Sequence, residues 1–230
     1  MIVLGIDTSG YINAVAVIDG SRVLADNIFP ARTDSLEQIV DNIDSTLKTS
    51  GFSLNNVQGI GVGLGPGSWT GIKVGVTVGK MLAFSAGKPV CGVPTLEALA
   101  YSARYESTLI CSVIAVGVDD AVYAGLYSPV DDTIKRIGEY YIGDVKGLTA
   151  LITEPCVMVG AGVQSYAQLI SQASGIKVKA VETIPSGAAI ASLAHVRLSR
   201  GETDDALSLT PLYLKESTAR VFINRYASLS

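Results

Sequence analysis

The stretch Gly59 to Gly79, GIGVGLGPGSWTGIKVGVTVG, constrains this chain more than any other. An apolar run from Ile60 to Leu64 gives way to Gly65-Pro66-Gly67, after which Ser68 and Thr70 place hydroxyls ahead of a long apolar segment. That order reads as strand, tight turn and helix start. Ile72, Val74, Val76 and Val78 alternate as in a strand, whereas Gly71, Gly75 and Gly79 recur every fourth residue. We read a helix. A glycine inside a helix costs about 1 kcal/mol relative to alanine, so a run of them along one face needs an offsetting gain. Close approach of another backbone supplies one, either within a soluble fold or from a partner chain. Length, Lys73 and Lys80 exclude a membrane-spanning role.

Around this stretch the chain reads as alternating strands and helices. Ile2 to Ile6 is a continuous apolar run ending in Asp7-Thr8-Ser9-Gly10, the pattern of a buried strand that delivers a carboxylate and two hydroxyls to a turn. Val15 to Ile18 and Val23 to Phe29 flank Asp19-Gly20, a hairpin signal. Asp34 caps a helix, with Glu37 completing a capping box, and Leu36, Ile39, Val40, Ile43 and Leu47 form its apolar stripe up to Gly51. After the glycine-striped helix come a short strand, Val90 to Val93, and a helix capped by Thr95. Residues 1–105 therefore read β-β-β-α-β-α-β-α. From 106 the pattern restarts: strands Leu109 to Val116, Ala121 to Tyr127 and Thr133 to Tyr141, a short helix from Gly147 to Ile152, a strand Cys156 to Val159, and helices Gln164 to Ala173 and Ser186 to Arg200. Ser208 to Tyr213 reads as extended, and no low-complexity linker separates the halves. The division is a first lobe, 1–105, and a reduced second lobe with a C-terminal tail, 106–230.

Composition limits the partners. Of 230 residues, 48% are apolar and 17% charged, which describes a well-buried globular chain. A formal net charge of −4 supplies no overall basic field for nucleic acid. Cys91, Cys111 and Cys156 are odd in number and far apart, as suits reduced thiols in a cytoplasmic protein rather than a disulfide or zinc framework. Met1 to Ile6 carries no basic leader before Asp7.

The chemistry available is sparse. Asp7, Thr8 and Ser9 at a strand end suit either phosphate and magnesium or a self-satisfied turn. Gly65-Pro66-Gly67-Ser68 fits neither a Walker A loop nor a dinucleotide fingerprint, and Pro66 removes one amide donor. Gly160-Ala161-Gly162 has the outline of a nucleotide loop and equally of a plain strand-to-helix turn. One histidine, His195, allows no paired-histidine metal set. Ser68 has the wrong spacing for a nucleophile elbow and is a cap candidate. Trp69 suits a core position or a binding hot spot equally.

Ile6-Asp7-Thr8-Ser9, the run Gly63 to Gly75 (GLGPGSWTGIKVG), Gly92 to Ala100 (GVPTLEALA) and Pro211 to Lys215 (PLYLK) resemble the TsaB (YeaZ) family. The middle motif is long and specific, and the similarity is close over the first hundred residues. The resemblance implies an α/β, two-lobed fold of the actin, Hsp70 and sugar-kinase (RNase H-like) type with a shortened second lobe. It implies a non-catalytic partner of TsaD, the subunit that transfers a threonylcarbamoyl group to adenosine in tRNAs reading ANN codons. A TsaE-like ATPase joins the larger complex, tRNA is met indirectly, and the chain alone forms a homodimer. No cofactor is held tightly, with ATP or ADP and magnesium admissible in the complex. Carried onto this sequence, the partner face is Leu36, Ile39, Val40 and Ile43 of the first helix, with Trp69, Gly71, Ile72, Gly75, Val76 and Gly79 of the glycine-striped helix.

Two departures from the family pattern bear on function. Thr33-Asp34-Ser35 stands where many members have a histidine and a hydroxyl, and Asp34 caps as well. Val118-Asp119-Asp120 stands where members carry a basic pair, and its two negative charges weaken any phosphate or RNA contact such a pair makes. The alternative function is a small ATP-dependent transferase or kinase-like enzyme, with Asp7 orienting hydrated magnesium, Thr8 and Ser9 beside it, and the two glycine loops, Gly65-Pro66-Gly67 and Gly160-Ala161-Gly162, holding nucleotide.

Overall fold

The computed structural model describes residues 1–31, 35–116 and 121–214, with the backbone alone at 35–37. Asp34, Asp119-Asp120 and the side chain of Leu36 lie outside the described residues. Two five-stranded sheets repeat one topology. In the first, β1 (Ile2–Asp7), β2 (Ile12–Asp19) and β3 (Arg22–Pro30) form antiparallel hairpins, and β4 (Gly59–Gly63) and β5 (Val90–Val93) extend β1 in parallel, giving the order β3-β2-β1-β4-β5. In the second, β6 (Leu109–Val116), β7 (Ala121–Val130) and β8 (Thr133–Asp144) are the antiparallel strands, and β9 (Cys156–Gly160) and β10 (Val178–Glu182) the parallel ones. The α/β, two-lobed fold expected from the sequence is the one observed.

The helices also correspond: α1 (Ser35–Ser50), α2 (Trp69–Ala86) and α3 (Thr95–Tyr101) in the first half, α4 (Val145–Leu151), α5 (Val163–Ser174) and α6 (Gly187–Ser199) in the second. The choice of helix over strand for the glycine-striped segment holds, with Ser68 Oγ accepting from Gly71 N and Gly87 ending the helix at φ 61°. Left-handed backbone there suits glycine. Thr95 is the first residue of its helix, not its cap; Pro94 holds the cap position. The strand β10 is absent from the sequence reading, because Val178-Lys179-Ala180-Val181-Glu182 is short, half-exposed and mixed in charge.

Where the core sits revises the lobe boundary. One face of the first sheet packs against α1 and α2 through Leu4, Ile6, Val15, Ile39, Ile43, Ile60, Val62, Ile72 and Val76. Its other face receives α6, a helix that a boundary at residue 105 assigns to the second lobe. Small residues permit this: a Cβ on Gly5 would overlap Gly187 O, and one on Gly61 would lie 2.8 Å from Ala194 Cβ. Reciprocally, α3 packs on β6, β7, β8 and β9 of the second sheet. The last helix of each half thus lies on the other half's sheet, so the halves share a buried interface rather than a hinge.

Candidate functional site

The glycine stripe faces inward. At Gly71 a Cβ would overlap Thr8 O, at Gly75 it would overlap Thr8 Oγ1, and at Gly79 it would overlap Val62 Cγ2. The backbone that the stripe admits is this chain's own β1, with the Val62 side chain of β4 beside it. Thr8 Oγ1 donates to Gly71 O at 2.7 Å, tying the first turn of α2 to the end of β1. As a partner face the stripe is corrected by this packing, and Ile39, Ile43, Ile72 and Val76, each at most 4% exposed, belong to the core.

Of the residues assigned to a partner from the sequence, Val40 and Trp69 stand out from the surface, each 51% exposed. Met81 and Phe84 of α2 join them at 59% and 61%. These two were missed, although a signal existed. Successive helix residues turn by about 100°, so positions two after Gly71, Gly75 and Gly79, namely Lys73, Thr77 and Met81, point away from the buried stripe. All three are exposed. Lys73 Nζ lies 4.1 Å from the centre of the Trp69 ring, and Tyr213 stacks on the same ring at 4.6 Å. The outer face of the α1–α2 pair is therefore apolar at Val40, Trp69, Met81 and Phe84. Isolated exposed apolar residues are ordinary; several aromatic and sulfur-bearing side chains on one helix pair are what binding surfaces use.

Asp7, Thr8 and Ser9 are brought together as expected and are all buried. Asp7 Oδ1 accepts from Ser9 N at 2.7 Å and from Ser9 Oγ at 2.6 Å. Its other oxygen packs over Gly63, where an added Cβ would sit 2.6 Å away. Neither Asp7 Oδ2 nor the neighbouring Thr95 Oγ1 has a hydrogen bond of full geometry among the described residues. Burial pushes the Asp7 carboxyl above its ordinary value, and the Ser9 bonds and the Thr95 hydroxyl oppose this only in part.

A nucleotide with magnesium does not fit these groups. A carboxyl that orients a hydrated cation must face water, and Asp7 faces the interior with no exposed surface. On the second lobe, the amides that open α5 are taken: Glu182 Oε2 accepts from Gly162 N at 2.7 Å and Oε1 from Gln164 N at 3.2 Å. A carboxylate of the chain itself thus sits where a phosphate would bind a helix start. Among the described residues no group of three or more His, Cys, Asp or Glu is arranged to hold a metal, and no helix is long and apolar enough to cross a membrane. The three cysteines are buried and unpaired.

Residues 29–220 match the family model described as TsaD: tRNA N6-adenosine threonylcarbamoyltransferase. The tRNA threonylcarbamoyladenosine biosynthesis protein TsaB of Bacillus subtilis is 28% identical over 225 residues, covering 95% of this chain and 96% of that protein. A crystal structure of a Pseudomonas aeruginosa protein with similarity to peptidase YeaZ superposes with a TM-score of 0.79 at 22% identity, covering 93% of this chain and 99% of the other. The ROK hexokinase of Thermus thermophilus shares the fold alone, with a TM-score of 0.54 at 14% identity over 87% of this chain and all of that one. The chain belongs to the family of that transferase model and, within it, to the TsaB (YeaZ) branch.

Proposed function

We propose that this chain acts in threonylcarbamoyladenosine biosynthesis as a non-catalytic subunit that binds and activates a TsaD-like transferase. The modified adenosine is the one in tRNAs reading ANN codons. The observation that carries this reading is the exposed apolar surface of α1 and α2, formed by Val40, Trp69, Met81 and Phe84. The inward-facing Asp7 and the self-occupied start of α5 count against independent ATP chemistry. A homodimer through the same face, a TsaE-like ATPase in the larger assembly, indirect contact with tRNA and a cytoplasmic location complete the proposal. ATP or ADP and magnesium belong to the assembled complex and not to this chain alone.

The test is light scattering behind a sizing column, for this chain alone and mixed with the TsaD-family protein of the same organism. Phe84→Asp and Met81→Asp are the variants to compare, because both side chains are exposed and their loss leaves the core intact. A heterodimer that forms with the parent chain and is lost with either variant supports the reading. No complex under any nucleotide condition contradicts it and makes magnesium-ATP binding the next assay.

A further inference from the structure

Residues 204–214, a C-terminal segment outside any helix or sheet, run along α2. The segment leaves the edge of β5, where Asp204 N donates to Val90 O at 2.8 Å. Lys80 Nζ then donates to Leu207 O at 3.0 Å and to Leu209 O at 2.8 Å. Further on, Leu212 N donates to Leu64 O at 2.9 Å and Tyr213 stacks on Trp69. The segment therefore passes from the second half of α2 back to its first turn, along the side where helical spacing places Trp69, Lys73, Lys80 and Phe84.

One turn of this segment holds an apolar side chain outward. Leu209 belongs to the core beneath α2 and Ala206 packs against that core, so the turn is fastened on both sides of Leu207. Asp205 closes it: its carboxylate accepts from Leu207 N at 3.1 Å and its carbonyl from Leu209 N at 2.9 Å. Leu207 itself is 70% exposed, and Tyr213 is 44% exposed although its ring lies against Trp69. A lone exposed leucine is ordinary. This one stands on a turn tied to Lys80, one helical turn from Phe84, so the apolar surface of α1 and α2 continues onto the segment. A turn already ordered in the free chain loses little entropy when a partner covers it, which favours its use as an anchor.

We infer that residues 204–214 are a third element of the transferase-binding surface, with Leu207 as an anchor and Tyr213 backing Trp69. The inference rests on the function proposed above and extends its interface from α1 and α2 to this segment. The occupant is the transferase, because the segment is continuous with the surface proposed to bind it.

Calorimetric titration with the TsaD-family protein compares the parent chain with Phe84→Asp, Leu207→Asp and Leu169→Asp, the last altering an exposed leucine of α5 in the other half of the chain. Leu207→Asp is expected to weaken binding at least tenfold, and Leu169→Asp to leave it unchanged. Should Leu207→Asp lower the denaturation midpoint, Leu207→Ser, which adds no charge, takes its place. Parent affinity in the Leu207 variant beside weak binding by Phe84→Asp overturns the inference and leaves the proposed function standing. Equal weakening by Leu169→Asp also overturns it, as does a Leu207 variant that loses only self-association in light scattering, which would make a second copy the occupant. Parent affinity in Phe84→Asp, or no binding by the parent chain, removes the proposed function and this inference with it.

Discussion

Thr8 Oγ1 donates to the carbonyl of Gly71 at 2.7 Å and occupies the space a side chain on Gly75 would need. One hydroxyl thereby fixes the distance between β1 and α2, and the glycine stripe is explained within the chain. Gly75→Ala gains helix propensity of about 1 kcal/mol but must displace Thr8, which loses its bond to Gly71. The overpacking and the broken hydrogen bond dominate, for a net destabilisation of about 1–3 kcal/mol. Chemical denaturation measures it; a variant as stable as the parent would contradict the packing described.

Phe84→Asp is expected to leave the denaturation midpoint of the isolated chain nearly unchanged, since surface substitutions away from special features shift stability by about 0.5 kcal/mol or less. The same change weakens partner binding by about 2–3 kcal/mol, or roughly a hundredfold, as truncating an interface aromatic does. Calorimetric titration separates the two effects. A variant that unfolds would show Phe84 to be a core residue instead.

Asp7 gives a pH dependence of definite sign. Its folded value lies above the ordinary 3.8, so the fold favours the protonated form. That contribution is full below 3.8 and fades as the pH rises through the raised value. Asp7→Asn keeps a neutral group with an oxygen for Ser9 and removes this dependence. Its stability advantage over the parent chain is largest at neutral pH and shrinks on acidification. Thermal denaturation of both chains across pH 4 to 8 checks this, and an advantage that grew with acidity would reverse the assignment.

Arg197 holds the C-terminal segment on β5. Its guanidinium donates to Asp204 through two nitrogens, at 3.0 and 3.1 Å, and to Gly92 O at 2.8 Å, while Asp204 also accepts from Gly92 N. Burial raises the Asp204 carboxyl, but the bonds from Arg197 and Gly92 outweigh it and leave the value below normal. Its stabilising contribution is present above pH 3.8 and is lost as the pH falls through the depressed value. Asp204→Ala is expected to cost about 1–3 kcal/mol, and to speed amide exchange at Val90, Gly92 and residues 204–212. Unchanged exchange there would remove this pair from the anchoring of the segment.

Much of the fold was legible because its signals are local. Asp19-Gly20 between two apolar runs, the stripe Ile39, Ile43 and Leu47, and Ser68 before Gly71 each specify an element without reference to the rest. The repeated order of three strands followed by alternating helices and strands was also visible, and it contained the information to place β10 opposite β5. What the sequence did not carry was direction around α2. Glycines at every fourth residue announce a close contact but not whose backbone makes it, and only Thr8 and Val62 settle that. Likewise α6 looks like part of the second half until Gly5 and Gly61 open the first sheet to it. For the site, Asp7 was visible as a carboxylate at a strand end, while its burial depends on Gly63 and Thr95, distant in sequence.

The central claim, an accessory subunit acting through the outer face of α1 and α2, is tested most directly by transfer activity. Threonylcarbamoyl transfer to tRNA is measured for the TsaD-family protein alone, with this chain, and with Phe84→Asp, alongside this chain by itself. The account predicts no turnover by the chain alone, a marked rise when it is added to the transferase, and no rise with the variant at concentrations that saturate the parent complex. Full stimulation by Phe84→Asp, or turnover by this chain alone that Asp7→Ala abolishes, would contradict it.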